Sequence, residues 1–179
     1  MPDTERSRAV VDRLLVQCYE ELRRRARAYL RAEGGYQTLD PTALVHEAYA
    51  RLARRAGIDW QGRTHFLAIA ASEMRRVLVE RARAASARKR GARPDRVTLG
   101  EAALAAEDRT VDVLALDQAL SSLAERSARQ ARVAEMRLFA GMAAQEIGDA
   151  LQVSERTVKG DWRMGRAWLA RALRGEVPP

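Results

Sequence analysis

Apolar residues that recur every three or four positions are the feature of this sequence that most restricts its fold. The first such stretch runs from about Ser7 to Glu33. Its repeating members are Val11, Leu14, Leu15, Cys18, Leu22, Ala26 and Leu30. This spacing is the period of an α-helix with one buried side. No long stretch of the chain shows the alternating Val, Ile, Thr and Tyr that strands need, so the sequence predicts an all-α fold.

Two further helices are predicted in the first half of the chain. Asp40 is a suitable N-cap and Pro41 suits the first helical position, where its missing N–H costs nothing. Thr64 is expected to cap the third, long helix, with Trp60 and Phe66 as core anchors at its start. The core face of the second helix comprises Leu44, Val45, Ala48 and Leu52, and that of the third comprises Leu67, Ala70, Met74, Val77 and Leu78.

The composition of the sequence changes after residue 90. Residues 81–90 hold five basic residues and no acidic one, whereas residues 91–111 contain Pro94, two glycines and mixed charge without a helical stripe. Long structureless loops are uncommon within one domain. We therefore predict two small helical domains, residues 7–90 and 112–175, joined by a flexible linker over 91–111. The second domain should hold helices near 112–124, 128–140, 143–151 and 154–173.

Residues 145–169, "QEIGDALQVSERTVKGDWRMGRAWL", have the pattern of a helix-turn-helix. In this motif the first helix braces the second, which enters the major groove of DNA. Gly148 is small enough to let the two helices cross closely, Val153 fills the turn and Ser154 caps the second helix. Ala144, Ile147 and Leu151 should pack inward.

The second helix of this motif is predicted to have two faces. One face is apolar and carries Val158, Trp162, Gly165 and Leu169; the other is basic and carries Arg156, Lys159, Arg163 and Arg166. A basic stripe on a helix is often only a solvated face. A formal net charge of +8 and the preceding turn favour contact with DNA instead.

Composition restricts the cellular setting and the chemistry. Cys18 is the only cysteine and lies in an apolar pattern, which predicts a small buried hydrophobe in a reducing cytoplasm. No apolar run is long enough for a signal peptide or a membrane span, so we expect no membrane insertion. The sequence has no phosphate loop, nucleophile elbow or metal-ligand spacing, and we expect no enzyme activity, no cofactor and no metal.

Three stretches, in this order, resemble one family. The stretch "PTALVHEAYARL" (41–52) is similar to a polymerase-binding helix, "HFLAIAASEMRRVLVERARAASARKR" (65–90) to the helix that handles the -10 promoter element, and "LQVSERTVKGDWRMGRAWL" (151–169) to the recognition helix for the -35 element. The family is that of the bacterial RNA polymerase sigma factors of the extracytoplasmic function (ECF) type. The resemblance covers roughly residues 7–173 and implies region 2 in the first domain and region 4 in the second.

The resemblance implies three sets of contact residues. Polymerase contacts fall on Leu44, His46, Glu47 and Arg51. Contacts to the -10 element fall on Ser72, Arg75, Arg76, Arg83 and Arg88. Contacts to the -35 element fall on Ser154, Arg156, Thr157, Lys159, Arg163 and Arg166. The implied function is a transcription initiation factor that binds core RNA polymerase, directs it to promoters and assists DNA melting, with an anti-sigma factor as a possible further partner.

The sequence departs from the family pattern at three positions, and one alternative function stays open. His46 stands where a glutamine is usual, Ala143 replaces a Thr or Ser cap, and Gln152 replaces the turn glycine. A non-glycine residue at the turn costs some stability if that position needs a positive φ. The alternative is a stand-alone dimeric helix-turn-helix regulator, which would bind palindromic sites.

Overall fold

The computed structural model describes residues 2–30, 40–55, 58–88, 96–98 and 110–176. Within these ranges the chain is almost entirely helical, which confirms the predicted all-α fold. The regular elements are α1 (Pro2–Tyr29), α2 (Pro41–Ala53), α3 (Arg63–Arg88), β1 (Arg96–Thr98), β2 (Thr110–Asp112), α4 (Val113–Arg126), α5 (Ala128–Glu135), α6 (Ala144–Leu151) and α7 (Glu155–Leu173). We call α1–α3 the front half and α4–α7 the rear half.

The start of α2 follows the predicted capping chemistry. An Asp40 carboxylate oxygen accepts hydrogen bonds from the backbone N–H groups of Thr42, at 2.9 Å, and Ala43, at 3.3 Å, and Pro41 is the first helical residue. The start of α3 differs from the prediction. This helix begins at Arg63, so Thr64 lies inside the first turn and does not cap it.

The predicted periodic positions form the core of the front half. The buried side chains of α1 are Val11, Leu14, Cys18, Leu22, Ala26 and Leu30. All four predicted core residues of α2 are buried as well. Phe66 is fully buried, and its ring centroid lies 5.8 Å from that of the partly buried Trp60. The two aromatic residues therefore anchor the start of α3 in the core, as predicted.

Cys18 behaves as the small buried hydrophobe that the sequence predicts. Its side chain is completely inaccessible. Burial raises the pKa of its thiol to about 11, because a thiolate would lose its hydration in this apolar environment. The thiol therefore stays protonated and unreactive at neutral pH.

The rear half has the four predicted helices, with one change of geometry. Residues 128–140 were expected to form one α-helix, but α5 ends at Glu135 and a π-helical turn, Met136–Ala140, follows it. Gly141 ends this turn with a φ of 69°. A guanidinium nitrogen of Arg25 donates a hydrogen bond of 3.2 Å to the Gly141 carbonyl oxygen. The end of the π-helical turn is thus in contact with α1.

A short antiparallel ribbon formed by β1 and β2 lies where only a linker was predicted. Arg96 pairs with Asp112, Val97 with Val111 and Thr98 with Thr110. Three-residue strands carry too little alternation to be recognised in a sequence. Residues 99–109, which connect the two strands, lie outside the described residues.

The front and rear halves pack directly against each other. Helix α3 contacts α4, α6 and the π-helical turn, and the buried apolar residues of both halves belong to one hydrophobic cluster. Arg63, at the start of α3, forms ion pairs with Glu21 of α1 and with Glu146 of α6. The division into domains at 7–90, 91–111 and 112–175 stays a prediction.

Candidate nucleic-acid and polymerase interfaces

Helices α6 and α7 are joined by a short turn whose backbone geometry is tightly specified. Gln152 has a φ of 56° and a ψ of 43°, which is the left-handed conformation. The turn position therefore does need a positive φ, the condition under which a non-glycine residue costs stability. The Val153 N–H donates to the Gly148 carbonyl at 3.0 Å. A Cβ on Gly148 would lie 2.7 Å from the Val153 carbonyl oxygen, which explains why a glycine stands there.

The two helices of this motif begin with different caps. At α7, the Ser154 hydroxyl accepts a hydrogen bond of 3.1 Å from the Thr157 N–H and contacts the Thr157 hydroxyl at 2.8 Å. Ser154 is therefore the predicted N-cap. At α6, Ala143 has no side-chain acceptor, but its own N–H donates to the Glu146 carboxylate at 2.8 Å. This is one of the two hydrogen bonds of a capping box; the other would need a Ser or Thr side chain at position 143.

Helix α7 has the two predicted faces. Val158 and Leu169 are fully buried and Gly165 is buried beside them, while Trp162 is partly buried. Arg156, Lys159 and Arg163 are exposed, and Arg166 is half-buried. Among these four basic residues, only Lys159 has an ion pair with another described residue, Glu155 at 2.7 Å. The guanidinium groups on this face are therefore available to an anionic ligand such as DNA phosphate.

One residue that orients α7 was missed by the sequence analysis. Asp161 lies on the packed side of α7 with only 7% of its surface exposed. Its carboxylate accepts two hydrogen bonds from the Arg129 guanidinium of α5, at 2.6 and 3.3 Å. This ion pair fixes α7 relative to α5. No local signal identifies it, because its partner lies on another helix.

The predicted -10 contacts come together on one side of α3. Ser72, Arg75, Arg76 and Arg83 line a cavity of about 440 Å³. Their spacing of three, four and seven residues puts them on one helical face. Arg76 and Arg83 have 57% and 68% of their side chains exposed, whereas Arg75 has only 19%. Arg88 ends α3, and its side chain lies outside the described residues.

Two acidic residues of the rear half, neither of them predicted from the sequence, also line this cavity. Asp117 of α4 lies 2.7 Å from a guanidinium nitrogen of Arg75, and Glu135 of α5 lies 3.3 Å from another. Glu135 also accepts a hydrogen bond of 2.9 Å from the Ser72 hydroxyl. These carboxylates are distant from α3 in sequence, so only the tertiary structure brings them to it.

The predicted polymerase contacts on α2 divide into a buried and an exposed set. Leu44 is fully buried in the core, as its place on the apolar face predicts, and its role as a contact residue stays a prediction. His46 is exposed. Glu47 and Arg51 do not pair with each other as an i,i+4 pair; Glu47 pairs with Arg81 of α3.

Arg51 makes a two-pronged ion pair with Glu80 of α3, with nitrogen–oxygen distances of 2.7 and 2.5 Å. The hydrogen bonds from Arg51 hold the pKa of the Glu80 carboxyl below its usual value. The ion pairs of Arg51 and Glu47 connect α2 to α3 on the surface of the front half. They leave both charged side chains partly exposed, at 26% for Arg51 and 34% for Glu47.

Two other kinds of feature are absent from the described residues. No group of three or more His, Cys, Asp or Glu side chains among them could hold a metal ion. Within the same residues, no helix combines the length and apolar character needed to cross a bilayer.

An all-α chain with a capped helix-turn-helix and an exposed basic recognition helix belongs to the class of DNA-binding transcription proteins. A family model described as "ECF sigma factor" matches residues 6–175, which is nearly the whole chain. The chain therefore belongs to the ECF sigma factor family. Searches of curated proteins and of solved structures found no significant match.

Membership of this family makes the protein a sigma factor that acts in transcription initiation. It favours this function over the alternative of a stand-alone dimeric regulator. The family is one of non-catalytic transcription factors.

Proposed function

We propose that this protein binds core RNA polymerase through the front half and directs it to promoters with two separate elements. Helix α7 reads the -35 element, and α3 binds the -10 element and assists melting. The observation that carries the proposal is the exposed basic face of α7, presented by a helix-turn-helix whose other face is buried.

The basic face of α7 supports contact with both phosphates and bases. Arg156 and Arg163 are exposed and two turns apart, so they can follow the groove, and Ser154 and Thr157 lie at the helix N-terminus. Helix N-termini bind phosphate through free N–H groups and the helix dipole. Arginine also makes paired hydrogen bonds to guanine in the major groove.

Selection from a random duplex library tests this role of α7 without a known promoter. The reconstituted holoenzyme is expected to enrich DNA with two conserved blocks separated by a spacer. Arg163→Ala should lose the upstream block and keep the downstream one, because a base contact contributes about 1–3 kcal/mol of discrimination. The matched control is Arg132→Ala, which removes an exposed arginine of α5 outside the helix-turn-helix. An upstream block that survives in Arg163→Ala would contradict the proposal.

The arginines of α3 support binding of the -10 strand. Arg75, Arg76 and Arg83 lie on one face and line one cavity, and arginine side chains in a groove can contact the backbone of a single strand. Arg76→Ala in the holoenzyme should reduce opening of the downstream block, measured by permanganate reactivity of unpaired thymines. Arg132→Ala is again the control. Equal reactivity in wild type and Arg76→Ala would contradict a role for this face in melting.

The exposed side of α2 supports binding of core polymerase. His46 is exposed, and Glu47 and Arg51 of the same helix are partly exposed. Glu47→Ala combined with Arg51→Ala should weaken binding of core polymerase at about 0.15 M salt, where weak charge attraction is screened. Removal of either residue also breaks an ion pair with α3. A second variant must therefore distinguish weaker packing of α2 on α3 from loss of a direct contact with polymerase.

Glu80→Gln provides this separation, because it breaks the same Arg51–Glu80 pair and leaves Arg51 in place. Polymerase binding that persists in Glu80→Gln and is lost in Arg51→Ala indicates direct contact by Arg51. Equal loss in both variants would show that the ion pair only supports the packing of α2 on α3.

A further inference from the structure

Met164 is a large apolar residue on the exposed side of α7. It has 57% of its surface exposed, and among the described residues Val16 of α1 is the only other exposed large apolar residue. Met74, Met136 and Met142, by contrast, are completely buried in the core. Packing within the chain therefore does not explain the apolar side chain of Met164.

Met164 lies next to the basic face of α7. Gly160 precedes it by one helical turn, so the two residues share one side of the helix. A Cβ on Gly160 would meet no atom within 4 Å, so the space beside the backbone is open at this position. Arg156 and Arg163 are exposed along the adjacent side. Gly160 and Met164, which we call the uncharged strip, thus run parallel to two arginines.

The uncharged strip is suited to one feature of the DNA major groove. Among the four bases only thymine presents a methyl group there, and apolar side chains recognise it. A glycine allows the helix backbone to approach the base edges closely, because it has no Cβ. The unbranched side chain of methionine is flexible enough to fill the space against a methyl group.

On the basis of the proposed role of α7, we propose that Met164 packs against the C5-methyl group of a thymine in the upstream element. Arg156 and Arg163 attract DNA phosphate beside it, which favours duplex DNA as the occupant of this surface. Contact with Met164 makes the protein prefer thymine at one position of the element. The arginines alone would not provide this preference, because arginine pairs with guanine.

Removal of single methyl groups from the DNA tests this contact. The reconstituted holoenzyme first selects the upstream block from random duplexes, and the block is expected to contain a conserved thymine. Each thymine of the block is then replaced, one at a time, by deoxyuridine, which lacks the methyl group and keeps the same hydrogen-bonding groups. At one position the dissociation constant of the holoenzyme should rise about fourfold, which is the effect of one buried methyl group.

Variants of Met164 assign this methyl effect to its side chain. Met164→Ala should bind the thymine and deoxyuridine duplexes with equal affinity, because its shorter side chain does not reach the base. Met164→Leu should retain most of the difference, since leucine is apolar and of similar size. Val16→Ala removes the exposed apolar residue of α1 and is the matched control, which should keep the full difference.

Three results would overturn the contact with thymine. They are an upstream block without thymine, equal affinities of the wild type for all the substituted duplexes, and a methyl effect that persists in Met164→Ala. Weaker binding of core polymerase by Met164→Ala, with the methyl effect unchanged, would assign Met164 to a protein contact instead.

The same selection separates failure of the thymine contact from failure of the proposed function. If Arg163→Ala loses the upstream block and the methyl effect does not depend on Met164, α7 reads the element and only the contact with thymine is wrong. If Arg163→Ala keeps the upstream block, the proposed role of α7 is itself wrong.

Discussion

Gly148 and Gly160 lie inside the two helices of the helix-turn-helix, and replacement of each by alanine should change stability in opposite directions. A Cβ on Gly160 meets no atom within 4 Å. Gly160→Ala should therefore stabilise the protein by about 0.5–1 kcal/mol, because alanine loses less backbone entropy in a helix. At Gly148 the new Cβ would lie 2.7 Å from the Val153 carbonyl oxygen, a backbone atom that cannot rotate away.

The net effect at Gly148 is set by two opposing terms. Overpacking costs about 1–3 kcal/mol, and the helix propensity of alanine returns up to about 1 kcal/mol. We expect a net loss of about 1 kcal/mol, measured by urea unfolding with circular dichroism. The expected change in Tm is about 2–4 °C per kcal/mol for a chain of this size. If Gly148→Ala were as stabilising as Gly160→Ala, the close approach of the turn to α6 would be refuted.

Three further perturbations follow from the described contacts. Gln152→Gly should stabilise by about 0.5–1 kcal/mol in the same unfolding assay, because glycine adopts the left-handed conformation without strain; a loss of stability would contradict this. A thiol reagent at pH 8 should modify Cys18 only after unfolding, since burial raises its pKa to about 11; rapid native labelling would contradict its burial. Burial tends to raise the pKa of Glu146, but hydrogen bonds from Arg63 and from the Ala143 N–H bring it below its ordinary value. The stability that Glu146 contributes is therefore present above the ordinary glutamate pKa and lost as the pH falls below it, and Glu146→Gln should flatten this acid dependence of urea unfolding.

Local patterns in the sequence were sufficient to predict most of the helices. The caps at Asp40 and Ser154 and the left-handed residue Gln152 involve groups within a few positions of each other. The buried faces of α2 and α7 were also predicted, because an amphipathic helix records its own orientation in its sequence. The start of α3 and the π-helical turn were not, since the interactions at these places are weak or depend on neighbouring helices.

In the candidate site too, the features that lie on one helix could be predicted and the contacts between helices could not. The sequence indicated the basic face of α7 and the polar face of α3, because each lies on one helix. It did not indicate which charged side chains on these faces pair with residues of other helices. The ion pairs of Arg51 with Glu80 and of Arg75 with Asp117 join residues 29 and 42 positions apart. Glu47 and Arg51 are four residues apart on α2, but the packing of α2 on α3 gives each of them a partner on α3 instead.

The helical class, the helix-turn-helix and its basic face could be predicted from the sequence, because hydrophobic periodicity and capping are local properties of the chain. The positions of Asp117 and Glu135 against α3 could be seen only in the tertiary structure. An ion pair or a buried contact depends on the distance between two groups in space. Residues far apart in the sequence approach each other only after the helices have packed.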